Sequence, residues 1–296
     1  MQAGSITCLN GVFMPAEAAT VPVSDRGFRF GDGVFETMRL ENGVPYQFEA
    51  HLTRMNAGLA ALHITPPEVD WHSIARALIA RNHATSGTLR LAVSRGSGSR
   101  GYVPNADIAT HWVMEYMPAV ALPESPYKLW LSTITRPPLS SLPANYKLAH
   151  GIGSTLALLE AREQHCDEAL LLTSDGAISE AAAANIFWIA SGEIFTPALL
   201  TSCLAGTTRT AIMRLAKVQE VVTDISTLHD AEAVFLTNVR LGIWPVAQLF
   251  SASPLQDKNP PTSYNIIHPL LVALQQKLEE DRASYIAAHQ ATWTTQ

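Results

Sequence analysis

The chain has 296 residues, of which 47% are hydrophobic and 16% charged, an ordinary globular composition long enough for two modest domains or one large one. A net charge of -6 with no basic block leaves nucleic-acid binding without an electrostatic footprint. No run of about 18 apolar residues offers a membrane span. The start, MQAGSITCLNGVFMPAE, lacks the basic region and apolar core of a signal peptide. Three cysteines without a CxxC pair (Cys8, Cys166, Cys203) fit a reducing cytoplasm.

Residues 5 to 14 alternate around Asn10-Gly11, which reads as a hairpin with a type I′ turn. Gly27, Gly31 and Gly33 punctuate the next stretch, where the backbone needs room. VFETMRL (34 to 40) alternates as a strand, and Asn42-Gly43 is a second hairpin turn. Leu52, Met55, Leu59 and Leu62 recur at helical spacing, and Trp71 to Asn82 is a second helix. Strands over 88 to 94 and 110 to 118 flank a glycine-rich loop. The proline-bearing segment 119 to 126 separates a first domain, 1 to 118, from a second, 127 to 296. In the second domain strands are expected over YKLWLSTIT, 168 to 173, 185 to 190, 193 to 196, 219 to 223, 233 to 237 and 243 to 246. Helices are expected over 154 to 165, 207 to 218, 225 to 230 and, after Pro260-Pro261, roughly 264 to 289. The class is α/β, with an α+β first domain and an α/β second.

The stretch from Tyr146 to Asn185, YKLAHGIGSTLALLEAREQHCDEALLLTSDGAISEAAAAN, concentrates the chemistry. Lys147 stands among Ala144, Leu148 and Ala149, flanks that suit a buried, reactive amine. Glu180 follows the Asp175-Gly176 turn and precedes four alanines, small enough for a ligand to lie against the backbone. LAGTTR (204 to 209) opens a helix whose free N–H groups and dipole favour an anion. Taken singly, each has an ordinary structural reading: a solvated lysine, a turn glutamate, a helix start with no ligand.

In order and spacing, these residues resemble the fold-type IV, class IV aminotransferase family of branched-chain and D-amino-acid aminotransferases, R-selective amine transaminases and aminodeoxychorismate lyases. The resemblance covers nearly the whole chain and implies pyridoxal 5'-phosphate as cofactor, with no metal. It makes Lys147 the Schiff-base lysine and general base, and Glu180 the partner of the pyridine nitrogen with Asn185 supporting it. Leu204 lies beneath the ring, and Gly206, Thr207 and Thr208 form the phosphate cup. It makes Arg54, in HLTRM, the cation of the phosphate. Asn238 and Val239 border the cofactor, Val239 through its backbone N–H alone because members often carry threonine there. SDRGFRFGDGVFETMR (24 to 39) looks like the amino-terminal signature, with Phe35 on the substrate side. In RGSGSRGY (95 to 102), Arg100 matches a substrate-carboxylate clamp, and Tyr102 stands where D-amino-acid members have histidine. Arg240 reads either as a surface ion pair or as a cation for a substrate carboxylate. The activity implied is amino transfer between an amino acid, or related primary amine, and a 2-oxo acid. The alternative is a 4-amino-4-deoxychorismate lyase releasing pyruvate and 4-aminobenzoate. KLAHGI after the lysine departs from the lyase-like pattern. The family's homodimer, with the glycine-rich loop of one subunit closing its neighbour's pocket, is expected.

Overall fold

The computed structural model describes residues 4–98, 100–251 and 261–294. Met1 to Ala3, Ser99 of the glycine-rich loop and Pro260 lie outside them. The chain divides into two compact units. One holds the residues up to Ala121, Tyr146–His150 and those from Arg282 onward; the other holds Leu122–Asn145 and Gly151–Asp281.

The first unit begins with β1 (Ile6–Leu9) and β2 (Val12–Pro15). Asn10 and Gly11 join them with φ of 49° and 87°, the two positive angles that a type I′ turn demands. A short helix not expected from the sequence, α1 (Arg26–Phe30), follows. Asp25 caps it by accepting the Phe28 N–H, and Gly31 closes it. Then come β3 (Gly33–Glu41), β4 (Val44–Pro45), α2 (Phe48–Ala61), α3 (Trp71–Arg81), β5 (Ser86–Ser94) and β6 (His111–Pro118). The six strands form one antiparallel sheet in the order β2-β1-β6-β5-β3-β4. α2 packs on β3, and α3 on β1 and β6. Val34, Met38, Leu40, Met55, Leu59, Leu78 and Leu91 are all buried there, each contributing about 1.5–3 kcal/mol of transfer free energy.

The second unit runs β7 (Tyr127–Arg136), α4 (Ile152–Glu163), β8 (Glu168–Thr173), β9 (Ile178–Ala181), β10 (Asn185–Ala190), β11 (Glu193–Pro197), α5 (Thr207–Leu215), β12 (Val218–Val221), α6 (Ser226–His229), β13 (Ala233–Asn238), β14 (Gly242–Phe250), β15 (Thr262–Ser263) and α7 (Pro269–Thr294), whose residues from Arg282 onward count with the first unit, not with the second domain expected over 127 to 296. Its sheet is mixed, in the order β12-β11-β10-β13-β14-β7-β8-β9, with β15 added to β14. Parallel neighbours need a crossover. α4 supplies it between β7 and β8, and α5 between β11 and β12. Ala157 and Ala161 let α4 lie close against Trp130, Ala169 and Leu171. Ala211 and Ile212 of α5 meet Phe187, Ile189 and Phe235, together with Leu271, Leu274 and Leu278 of α7. Ile186, Trp188, Val234 and Leu236, the alternate residues of the same strands, fill a separate core.

Three details differ from the sequence expectation. Tyr146–His150 belongs with the first unit, because Phe35 N–H donates to Lys147 O, Ala149 N–H donates to Gly33 O, and Leu148 bridges Val34 across the edge of β3. α5 stops at Leu215, since Val218 onward pairs with β11. The terminal helix starts at Pro269, where a missing N–H costs nothing, because Thr262 and Ser263 pair with β14. Among the described residues no helix is long and apolar enough to cross a membrane.

Candidate active site

Two polar clusters stand out, one in each unit. The first is built on β3 and α2. Val34, Glu36, Met38 and Leu40 share one face of β3, so Glu36 puts a carboxylate on an otherwise apolar, buried row. α2 brings Arg54 and His51 to it. Arg54 forks onto the carboxylate, Nε donating to Oε1 at 2.7 Å and Nη2 to Oε2 at 2.6 Å. His51 Nδ1 lies 2.7 Å from Oε2. Burial opposes charge on Glu36, but the hydrogen bonds from Arg54 and His51 outweigh it and bring the carboxyl down to about 2. Burial pushes the His51 imidazole below its ordinary value despite Glu36 beside it. The ring is therefore neutral near pH 7, with Nδ1–H donating to an ionised partner that only accepts.

Phe35 faces away from that row. Lys147 Nζ stands 4.4 Å from the centre of its ring and the Arg90 guanidinium 4.2 Å from it, so one aromatic ring carries two cations. Lys147 is half-buried on the short segment that edges β3, beside buried Leu148. Arg100 and Tyr102 are exposed on the glycine-rich loop, and the Tyr102 ring lies 5.4 Å from that of Phe30.

The second cluster centres on Glu180, buried at β9. Oε1 pairs with Arg136 Nη2 at 3.1 Å, and Oε2 accepts the Leu204 N–H at 2.8 Å and Asn185 Nδ2 at 3.3 Å. Asn185 Nδ2 also donates to Leu204 O, so the asparagine ties β10 to the approach of α5. Arg136 is held in turn by donating to Ala144 O and Ser202 O. Gly206 is the N-cap of α5, and no side chain caps that helix. A Cβ on Gly206 would overlap Asn185 Oδ1, so only glycine fits. Thr207 and Thr208 are buried in the first turn. Thr237, opposite Asn185 in the β10–β13 register, has a buried hydroxyl without a hydrogen-bond partner among the described residues. On the other side of this loop, Asn238 donates to Ala183 O and accepts the N–H groups of Arg240 and Leu241. Its side chain therefore builds the turn. Val239 is half-buried, and Arg240 is exposed and bonds the Tyr127 hydroxyl. Glu168, buried on β8, accepts the N–H of Ala169; desolvation raises its carboxyl to about 7.

Arg136 and Glu36 were given no role from the sequence. Glu36 alone left a signal, a charge in the apolar phase of a strand. Arg136, in ITRPP, is brought to Glu180 by tertiary folding and had none.

The class IV aminotransferase description matches residues 33–249. A putative branched-chain-amino-acid aminotransferase of Methanocaldococcus jannaschii is 31% identical over 81% of this chain and 86% of its own. An aminodeoxychorismate lyase of Vibrio harveyi is likewise 31% identical, over 77% of this chain and 86% of its own. The solved branched-chain amino acid aminotransferase of T. th. with pyridoxamine 5'-phosphate superposes with a TM-score of 0.84 at 25% identity, covering 97% of this chain and 98% of that one. The mixed α/β architecture with two sheets is that of these fold-type IV enzymes. The chain belongs to the class IV aminotransferase family, whose enzymes depend on pyridoxal phosphate.

Proposed function

We propose that this chain is a pyridoxal-phosphate-dependent aminotransferase, moving an amino group between an amino acid, or a related primary amine, and a 2-oxo acid. The observation that carries the reading is the Glu180 carboxylate, held as an acceptor by Arg136, Leu204 and Asn185 next to the uncapped start of α5. The residues suit the cofactor: Gly206 opens α5 without a capping side chain, and Thr237 keeps a buried hydroxyl unpartnered among the described residues. When bound, pyridoxal phosphate supplies an aldehyde for the amine and a ring that accepts electrons from the substrate carbon.

Around it the chain's own groups take distinct roles. Lys147 binds through Nζ and then moves the substrate proton at the same atom. Glu180, held by Arg136, would accept the ring N–H. The N–H groups of Thr207 and Thr208 hold the phosphate, joined by Arg54, which Glu36 has already fixed in place. Leu204 would pack against the cofactor, Asn185 steadies Glu180, and Asn238 shapes the turn that presents the Val239 N–H. Phe35, Tyr102 and Arg240 border the substrate, and Arg100 clamps a substrate carboxylate. The working enzyme is a homodimer in the cytoplasm. Exposed Ile152, Leu156 and Leu159, one stripe of α4, suit a subunit contact, and three free, buried cysteines suit a reducing compartment.

The second reading, release of pyruvate and 4-aminobenzoate from aminodeoxychorismate, is favoured by Val239, which lacks a hydroxyl where aminotransferases often have one. One experiment separates them. Holoenzyme is mixed with D-alanine, L-leucine, L-glutamate and R-phenylethylamine. Conversion of the long-wavelength cofactor band to a short-wavelength form by any of these supports amino transfer. No response to any, with 4-aminobenzoate formed from aminodeoxychorismate, selects the lyase. Lys147→Ala is expected to lose the long-wavelength band, and a band that survives overturns the role of Lys147.

A further inference from the structure

Arg26, on α1, is almost wholly buried, and every edge of its guanidinium is used. Nε donates to Asp32 Oδ2 at 2.7 Å, Nη1 to Gly101 O at 3.0 Å and Nη2 to Tyr102 O at 2.7 Å. Its Cζ stands 4.9 Å from the centre of the Phe30 ring, and that ring in turn meets Tyr102. Asp32 is held from its other side by Arg95, with Nε at 2.8 Å from Oδ2 and Nη2 at 3.0 Å from Oδ1. Arg95 also donates to Leu62 O and His63 O, which fixes it to the end of α2.

These bonds staple the glycine-rich loop at both feet. At its start, Arg26 N–H donates to Gly96 O, Gly98 N–H to Ser24 O, and Arg95 N–H to Asp32 O. At its end the Arg26 side chain reaches the two carbonyls of Gly101 and Tyr102. Arg100 stands between the feet, exposed, with no side-chain bond of its own to the fold among the described residues. A loop of glycines and serines has much backbone freedom to lose, and a cation carried on it is effective only if that loss has already occurred on folding.

We propose that Arg26 is a positioning residue for substrate specificity: by gripping the Gly101 and Tyr102 carbonyls it presets the loop from which Arg100 clamps a carboxylate. The inference rests on the reading of Arg100 given above. The Phe30 ring lies over the guanidinium on one face, which weakens competition from water there.

The test compares Arg26→Met, Arg26→Lys and Arg100→Ala as holoenzymes, using D-alanine or L-leucine, whichever donor the wild type accepts. Arg26→Met is expected to raise KM about tenfold, as Arg100→Ala does, while kcat and the cofactor dissociation constant stay within about twofold. Amides 101 and 102 should exchange hydrogen faster in that variant. Arg26→Lys keeps the charge beside Asp32 but cannot hold two carbonyls at once, so it should show the same KM rise even if the Met variant does not fold. A raised KM in Arg100→Ala with an unchanged KM in folded Arg26→Lys overturns this inference and leaves the clamp intact. An unchanged KM in Arg100→Ala overturns both. A fall in kcat or cofactor affinity equal to the KM effect would make Arg26 merely a structural support and also overturn the proposal.

Discussion

Replacing Glu36 by Gln removes a charge from the centre of the first cluster without changing its shape. The carboxyl is fully buried, takes a two-pronged bond from Arg54 and one from His51, and sits at about 2 rather than the usual 4.5. A carboxyl lowered on folding adds stability that is fully present above its unfolded value and is lost as pH falls through the folded one. The gap between 4.5 and about 2 corresponds to about 3 kcal/mol near neutral pH. The figure agrees with the roughly 3–5 kcal/mol cost of leaving one member of a buried ion pair without its partner. Glu36→Gln should therefore lower the stability of the first unit by about 3 kcal/mol at about pH 7, and by about half as much at about pH 3, where the wild type has already lost part of the benefit. Urea titrations read by hydrogen exchange of the β3 and α2 amides follow that unit by itself. A deficit that does not change between those two pH values would show that the Glu36 charge is not what holds Arg54 and His51 together.

Three other outcomes are expected. Gly206→Ala drives a Cβ into Asn185 Oδ1 and displaces the bonds of Asn185 to Glu180 and Leu204. About 2 kcal/mol of stability and at least about tenfold in pyridoxal phosphate affinity should be lost, and unchanged affinity in equilibrium dialysis would remove the phosphate cup. Glu180→Gln should keep the cofactor but lose most turnover, and normal turnover would end its ring-nitrogen role. Glu168 has the opposite sign to Glu36: its carboxyl is raised to about 7, so the wild type loses stability as pH climbs from 4.5 towards 7. The cost of Glu168→Gln should thus shrink by up to about 3 kcal/mol between about pH 5 and about pH 8, and a cost that grows with pH in urea titrations would contradict the buried-charge account.

Much of the architecture was legible before folding. Asn10-Gly11 and Asn42-Gly43 dictate hairpins because positive φ at two successive positions leaves few alternatives. The periodicity of Leu52, Met55 and Leu59 marks α2, and the line from Lys147 to Thr208 carries a resemblance strong enough to name the family. Local geometry and residue order are properties of the chain itself, so a single sequence contains them. It did not contain α1, whose glycines disguise a helix capped by Asp25, nor the pairing of Tyr146–His150 with the edge of β3. Nor did it contain Arg136 on Glu180, Arg54 on Glu36 or Arg26 on the loop carbonyls. The partners in these pairs lie 44, 18 and about 75 residues apart. A guanidinium in a sequence reads as a solvated charge until folding removes water from around it. Only then do burial and the nearest carboxylate or carbonyl decide whether it serves as a surface charge or as part of the site.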